Sequence, residues 1–81
     1  MYYLYIIKST TQIWHYIGIT DNLIKRLAEH NAGKTKSNKA YKPFIIIYTE
    51  QFNTKADARK REILLKKSYN ARQKLYNSIN K

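Results

Sequence analysis

The first nine residues, Met1 to Ser9, contain six consecutive aromatic and aliphatic residues with the sequence YYLYII. Such residues favour β-strands, and here they occupy both faces of the strand. A strand that is apolar on both faces must be covered on both, so the sequence predicts an interior strand of a sheet. Alternation along this strand places Tyr3, Tyr5 and Ile7 on one face.

A polar turn and a second β-prone segment follow. Ser9 to Gln12 is longer than a two-residue hairpin loop, and Ile13 to Ile19 is predicted to return as the partner strand. We expect the hairpin to bring Tyr5 near Tyr16, so that two phenols lie side by side. Because Gly18 has no side chain, we expect open space above its backbone that an external group can approach.

A helix is predicted from Asn22 to Asn31, with capping side chains at its start and Gly33 as a left-handed residue after its end. Arg26 and His30 lie one turn apart, at the border of the apolar stripe, where both can reach toward Tyr16. The stripe consists of residues at helical spacing, namely Leu23, Ile24, Leu27 and Ala28.

A basic loop without acidic residues separates this helix from Pro43. Its composition suits contact with a phosphate backbone, and its position beside the predicted site favours that interpretation. The alternative is a solvated loop whose lysines only confer solubility. The four lysines are Lys34, Lys36, Lys39 and Lys42.

The second half of the chain predicts one more strand and two more helices. Phe44 to Tyr48 is predicted as a buried strand that is followed by Thr49 to Phe52, and Thr54 caps a helix that runs to about Lys67. A third helix begins at Ser68 or Asn70. It docks through Ala71, Leu75, Tyr76 and Ile79 and leaves Arg72, Lys74 and Lys81 in solvent. The order ββαβαα predicts an α+β fold, a small three-stranded antiparallel sheet flanked by three helices, as one domain over residues 1–81.

The amino-acid composition indicates which binding partners and which cellular compartment to expect. Sixteen Lys plus Arg against five Asp plus Glu give a net charge of +11, so nucleic acid is the expected partner and salt should weaken its binding. No segment has the contrasting basic and apolar faces that attraction to a lipid surface requires. The absence of cysteine argues against disulfides and the usual structural zinc sites and fits a reducing, cytoplasmic location. The longest apolar run, Phe44 to Tyr48, is far below the roughly 20 residues of a membrane span.

The polar residues near the predicted hairpin suit phosphodiester hydrolysis, which needs an activated water and positive charge around the phosphate oxygens. Tyr16 is the candidate general base, although a phenol with an ordinary pKa near about 10 needs adjacent cations to act at neutral pH. Arg26 can hold the scissile phosphate through its planar fork. Tyr5 is expected to position water or phosphate.

Glu62 stands where the second helix passes from basic to apolar sequence. One carboxylate is sufficient to hold Mg²⁺, because this ion keeps most of its waters and takes further ligands from substrate phosphates. The alternative is an ordinary ion pair between Glu62 and Lys66, worth a few tenths of a kcal/mol (about 0.2–0.5).

Taken together, these residues resemble the GIY-YIG nuclease superfamily, and the resemblance spans nearly the whole chain. Tyr3-Leu4-Tyr5 corresponds to the first half of the motif, and Tyr16-Ile17-Gly18 matches YIG completely. Arg26, His30 and Glu62 fall, in the same order, on the helix arginine, the following histidine or tyrosine and the metal-binding glutamate of that family. The chain is most similar to its small stand-alone members.

The resemblance implies cleavage of DNA, dependent on Mg²⁺ or Mn²⁺, by an endonuclease or nickase acting in repair or recombination. In that picture Tyr16 activates water, or is itself activated by His30, and Tyr5 assists. Arg26 stabilises the phosphorane and Glu62 holds the metal. We expect these five side chains to surround one common cavity.

Two departures from the family pattern, and the absence of a DNA-recognition domain, qualify the resemblance. Tyr3 replaces the first glycine, and Ile19 stands where repair-type relatives often have lysine, which removes a cation near Tyr16. Recognition of a branch, nick or flap by shape, or through a protein partner, is therefore expected in place of sequence-specific cutting. The rival prediction is a non-catalytic nucleic-acid-binding module of the same fold. In both, the predicted nucleic-acid contacts are Gly18, Lys34, Lys36, Lys39 and Lys42.

Overall fold

The computed structural model describes residues 1–34 and 39–79, and within them the predicted order ββαβαα is confirmed. The strands are β1 (Tyr2–Ser9), β2 (His15–Thr20) and β3 (Phe44–Phe52). The α-helices are α1 (Leu23–Asn31), α2 (Lys55–Lys67) and α3 (Tyr69–Ile79), and a single 3₁₀ turn spans Lys39–Tyr41. None of the helices described is long and apolar enough to cross a membrane.

The sheet is antiparallel with the strand order β2-β1-β3, so β1 is the interior strand that its sequence predicts. The register pairs Tyr5 with Gly18 and Ile7 with Tyr16. Tyr16 is therefore the diagonal neighbour of Tyr5 rather than its direct partner, and the centroids of the two phenol rings are 6.3 Å apart. Diagonal side chains on one face of a sheet remain within reach when they are aromatic.

Alternate residues of β1 build two separate cores, one on each face of the sheet. On one face Leu4 and Ile6 are fully buried and pack with Leu65 of α2, against which α3 also docks. On the other face Tyr5 and Ile7 pack with Phe44 and with α1. This second face carries the tyrosines of the predicted site.

Three sequence predictions about burial are wrong. Ile24 is 85% exposed and Ala28 is also exposed, whereas the buried face of α1 follows Leu23, Leu27 and His30, because the helix packs on Phe44 with this face. The segment Phe44 to Tyr48 is not a buried strand: Phe44 is buried, but the rest of this stretch is partly or largely exposed because β3 is an edge strand. Arg72 is not simply solvated, since its guanidinium donates to the carbonyl oxygens of Leu65 and Lys66 at the end of α2.

Asn31, the last residue of α1, binds the first residue of β3. Its side-chain amide donates to the carbonyl oxygen of Phe44 (3.2 Å), and its amide oxygen accepts from the backbone N–H of Phe44 (2.6 Å). We call this pair of hydrogen bonds the Asn31 clasp. Nearby, the hydroxyl of Ser9 donates to the carbonyl oxygen of Tyr41 (2.6 Å). Both ends of the basic loop are thus fixed to the sheet.

Candidate active site

Gly18 is the position on which the site depends sterically. A Cβ atom added there would lie 2.6 Å from the hydroxyl oxygen of Tyr5 and 3.0 Å from the ring of Tyr16. The first distance is shorter than any ordinary contact, so the phenol of Tyr5 occupies the space that glycine leaves open. The prediction of open space for an external group is wrong on this face, because the protein fills it.

The hydroxyl of Tyr5 binds two side chains of α1, and we call Tyr5, Arg26 and His30 the Tyr5 cluster. Nε of Arg26 donates to the Tyr5 oxygen at 3.2 Å, and this oxygen lies 2.9 Å from Nε2 of His30. Since arginine can only donate, the phenol proton is available to Nε2 when His30 carries its own proton on Nδ1. The sequence predicts that Arg26 and His30 reach toward Tyr16; the structure instead has both side chains bind the hydroxyl of Tyr5.

Burial and charge fix the protonation state of Tyr5. Only 2% of the residue is exposed, and burial raises the pKa of its phenol to about 12, against the lowering effect of the Arg26 guanidinium. Tyr5 is therefore neutral at physiological pH. His30 is 0% exposed, so neither residue faces an open path to substrate. The direct contact of Tyr5 with water or phosphate that the sequence predicts is not available in this arrangement, and its geometry suits orienting Arg26.

Arg26 itself reaches the surface. Its guanidinium donates through Nη1 to the carboxylate of Glu29 (3.3 Å) in addition to the bond with Tyr5, and about a third of the side chain is exposed. The phenol of Tyr5 is the main cause that raises the pKa of Arg26 further above its usual range. A guanidinium held at two of its nitrogens is oriented before substrate binds.

Tyr16 is half-buried, and its ring lies next to the rings of Tyr5 and His30 in the Tyr5 cluster. Its ring centroid is 5.1 Å from that of His30 and 6.1 Å from that of Trp14, with which it is stacked. Trp14 stacks in turn on Tyr41, at 4.6 Å and an interplanar angle of 1°. The sequence did not predict that the aromatic rings would connect Tyr16 with the end of the basic loop, because Trp14 and Tyr41 are distant in sequence.

Glu62 is held by two cations of its own helix, and we call Glu62, Arg59 and Lys66 the Glu62 cluster. The carboxylate is 6% exposed and accepts from Nη1 of Arg59 (3.2 Å) and from Nζ of Lys66 (3.1 Å). The ion pair with Lys66, which the sequence left as an alternative, therefore exists. The negative charge of Glu62 is one of the causes that raise the pKa of Tyr5, so the two clusters interact electrostatically.

The donor set at Glu62 fits a hard divalent cation. Among the described residues no three His, Cys, Asp or Glu side chains are grouped as a metal site, so an ion bound here would have a single protein carboxylate. Mg²⁺ and Mn²⁺ suit this arrangement because they retain waters and accept phosphate oxygens as further ligands. Both side chains that now neutralise Glu62 are long and well exposed, 64% for Arg59 and 48% for Lys66, and they can release it.

A cleft of about 330 Å³ opens beside Arg26, between the start of α1 and the start of α2. Of the five predicted active-site residues Arg26 alone lines this cleft, so the structure does not enclose all five in one common cavity. The cations Lys25 and Lys55 also line it, which suits an anionic strand next to Arg26. Its remaining lining residues are Tyr2, Ile19, Thr20, Asp21, Asn22 and Glu29.

Three of the four lysines of the basic loop lie within the described residues. Lys34 and Lys42 are described and exposed, as a phosphate-contacting loop requires. Lys39 begins the 3₁₀ turn, and Lys36 lies outside the described residues. Contact of these lysines with nucleic acid stays a prediction.

Comparison with known proteins agrees with this geometry. A family model described as "GIY-YIG catalytic domain" matches residues 1–77. The UPF0213 protein SH2523 of Staphylococcus haemolyticus is 39% identical over 75 residues, which cover 91% of this chain and 89% of that protein. The UPF0213 protein YazA of Bacillus subtilis is 36% identical over 76 residues, covering 93% and 76%. The solution NMR structure of the UPF0213 protein BH0048 from Bacillus halodurans superposes with a TM-score of 0.58 at 27% identity, covering 94% of this chain and 82% of that one.

Proposed function

The chain belongs to the GIY-YIG family, alongside the small UPF0213 proteins, and from this premise we propose that it is a metal-dependent endonuclease or nickase that hydrolyses phosphodiester bonds in DNA. The single observation that carries the proposal is the oriented guanidinium of Arg26. It is bound by Tyr5 and Glu29, partly exposed, and placed at the edge of a cleft with two further cations, Lys25 and Lys55.

We assign the chemical roles from this arrangement. Arg26 binds the non-bridging oxygens of the scissile phosphate, since a planar fork suits charge that spreads over several oxygens in the transition state. Tyr5, which is itself hydrogen-bonded to His30, holds the guanidinium of Arg26 in place. Tyr16, which is partly exposed and lies over the same cluster, takes the proton of the attacking water.

Glu62 is the residue that would hold the divalent ion. Mg²⁺ or Mn²⁺ bound there supplies positive charge to the phosphate and the leaving oxygen. The role of the protein chain is to present one carboxylate at the boundary of the core, close enough to the Tyr5 cluster to influence its electrostatics.

The substrate we propose is DNA whose shape is locally disturbed, such as a nick or a branch, in repair or recombination. A net charge of +11 favours contacts with the phosphate backbone, which carry no base sequence, so we expect recognition through the shape of the DNA. Exposed Lys34 and Lys42 at the ends of the basic loop extend the positive surface that a backbone can follow. A protein partner that adds specificity is compatible with this role.

The test is cleavage of supercoiled plasmid and of branched, nicked, single-stranded and plain duplex oligonucleotides with Mg²⁺, Mn²⁺ or chelator. We expect nicking that requires the metal and that falls about 100- to 1000-fold in Arg26→Ala, since loss of one transition-state donor has this cost. Glu62→Gln should abolish the metal-dependent nicking and leave DNA binding near the wild-type level. Equal losses of binding and cutting in Glu62→Gln would show that this residue has a structural role.

The second candidate is a nucleic-acid-binding module without catalysis. It is favoured by one observation, the burial of Tyr5 and His30, which leaves Tyr16 and Arg26 as the partly exposed members of the hairpin and α1 site. A module of this kind retards DNA in a gel and leaves it intact at every metal concentration. Cleavage by wild-type protein at levels that Arg26→Ala removes would exclude this candidate.

A further inference from the structure

Lys66 lies between Glu62, the candidate metal ligand, and Tyr16, the candidate general base. Its Nζ atom is 3.1 Å from Oε2 of Glu62 and 5.4 Å from the ring centroid of Tyr16. A cation at this distance from the face of an aromatic ring is attracted by its electrons. Lys66 is thus a side chain of α2 that touches both the candidate metal ligand and the candidate general base.

The ammonium group of Lys66 supplies a positive charge that the hairpin sequence lacks next to Tyr16. Ile19, the residue after Gly18, is apolar, so the hairpin itself offers no cation next to Tyr16 at that point. Glu62, in turn, is 6% exposed, and a carboxylate so deeply placed needs a counter-charge when no metal is bound. One ammonium group meets both requirements, because it lies close to both.

We propose that Lys66 is a positioning residue of the active site that acts as its resident counter-ion. In the ion-free protein it neutralises Glu62. When a divalent ion takes that carboxylate, the ammonium group stays at Tyr16 as the positive charge next to the candidate base. The role of Lys66 at Tyr16 rests on the proposed function. Its role at Glu62 requires only that Lys66 and a divalent ion compete for the same carboxylate.

Matched variants separate the role of Lys66 at Glu62 from its role at Tyr16. Lys66→Gln removes the ammonium from both Glu62 and Tyr16. Arg59→Gln removes a cation from Glu62 alone, since Arg59 binds the other carboxylate oxygen. Lys67→Gln removes the same charge from the exposed neighbouring residue in the last turn of α2, and Lys66→Arg restores a cation at the original position.

The first measurement is Mn²⁺ binding to the free protein, followed by paramagnetic broadening of the NMR signals around Glu62. We expect Lys66→Gln and Arg59→Gln each to bind Mn²⁺ about two- to five-fold more tightly, because an exposed cation that competes for a carboxylate is worth this much. Lys67→Gln should match the wild type. Equal affinities in Lys66→Gln and Lys67→Gln, or no broadening at Glu62 in any variant, would overturn the role of Lys66 as counter-ion.

The second measurement is the nicking rate at saturating Mn²⁺. Lys66→Gln should be about ten-fold slower or more, whereas Lys67→Gln stays near the wild type and Lys66→Arg recovers most of the rate. Equal rates in Lys66→Gln and Lys67→Gln would overturn the role at Tyr16. If the wild-type protein does not nick any DNA, the endonuclease proposal fails and the role at Tyr16 fails with it, while Mn²⁺ binding still decides the competition at Glu62.

Discussion

The Tyr5 cluster and the Glu62 cluster both place a charged side chain near Tyr16, but they differ in how firmly they hold it. In the Tyr5 cluster the binding partners are buried, with 2% of Tyr5 and none of His30 exposed, and the phenol lies in a space that only glycine leaves open. In the Glu62 cluster the carboxylate is buried and its partners, Arg59 and Lys66, are long and exposed.

This difference separates what is rigid in the site from what can adjust. Buried hydrogen-bonded groups are costly to disturb, because removal of a partner leaves a desolvated polar atom. Exposed ion pairs exchange readily with water and with other ions. We therefore expect changes in the Tyr5 cluster to lower both activity and stability, and changes at Tyr16 to lower activity with little effect on stability.

The largest expected effect concerns Tyr16→Phe, which removes the candidate base. The nicking rate should fall about 100- to 10,000-fold, as expected when a general base is lost. Because the ring and its packing remain, the free energy of unfolding should change by less than about 1 kcal/mol. Activity assays and thermal unfolding check this, with Tyr69→Phe, an exposed tyrosine on α3, as the control. A strongly destabilised Tyr16→Phe would place Tyr16 with the rigid part of the site.

Gly18→Ala should destabilise the fold by about 3 kcal/mol, because the new methyl group meets the hydroxyl of Tyr5 at 2.6 Å and the buried ring must shift. Nicking should fall in parallel, since displacement of Tyr5 releases Arg26. Denaturant unfolding measures the first effect. Gly33→Ala is the control: Gly33 has φ 75°, and alanine there should cost only about 1 kcal/mol. An equal cost at both glycines would mean that Tyr5 can move easily.

Stability above pH 10 should report on Tyr5. Its folded pKa of about 12 lies above the ordinary phenol value near about 10, so the protonated form is favoured by folding. The resulting stability is fully present below pH 10 and is lost as the pH rises from 10 to 12, by about 2–3 kcal/mol. Tyr5→Phe should lower stability at pH 7 by about 1–2 kcal/mol, since it removes two hydrogen bonds, and should flatten this alkaline loss. Unfolding curves against pH check it, and identical alkaline slopes in both proteins would contradict it.

The smallest expected effect concerns the exposed lysines at the ends of the basic loop. Lys34→Ala together with Lys42→Ala should reduce the slope of log affinity against log salt by roughly 2, about one for each lysine that no longer binds a phosphate. Stability should be unchanged because both side chains are exposed. Fluorescence anisotropy with duplex DNA measures the slope. Lys60→Ala together with Lys74→Ala removes two exposed lysines from α2 and α3, and an equal change in that variant would make the loop no more than part of a diffuse basic surface.

The sequence predicted the order of elements and the placement of Arg26 and His30 on one side of α1, because these depend on local patterns. That both bind Tyr5 rather than Tyr16 depends on long-range packing of α1 on the hairpin. The six-residue apolar run of β1 favours the interior strand that is observed, and helical spacing of four residues aligns Arg26 with His30. Asn22 and Thr54 cap α1 and α2 as predicted, since each side chain accepts from the backbone N–H three residues later.

The sequence could not predict which side chains of the site would be buried and which exposed. Helical spacing allowed two apolar faces for α1, and only the packing against Phe44 and Ile7 selects the one that buries His30 and exposes Ile24. The sequence predicts Lys66 only as an ion-pair partner of Glu62, because the proximity of Lys66 to Tyr16 arises only when α2 packs on the hairpin. An apolar residue after the YIG glycine was the one signal that pointed to a cation supplied from elsewhere.

The Asn31 clasp has a consequence for how such a domain can be modified. Two hydrogen bonds fix the distance between the last residue of α1 and the first residue of β3, whatever sequence connects them. The connecting segment can then be exchanged as a cassette, with loops of other lengths and charges grafted between the same two anchor points. Loops grafted in this way would change the charge next to α1, while the guanidinium of Arg26 keeps its hydrogen bonds to Tyr5 and Glu29.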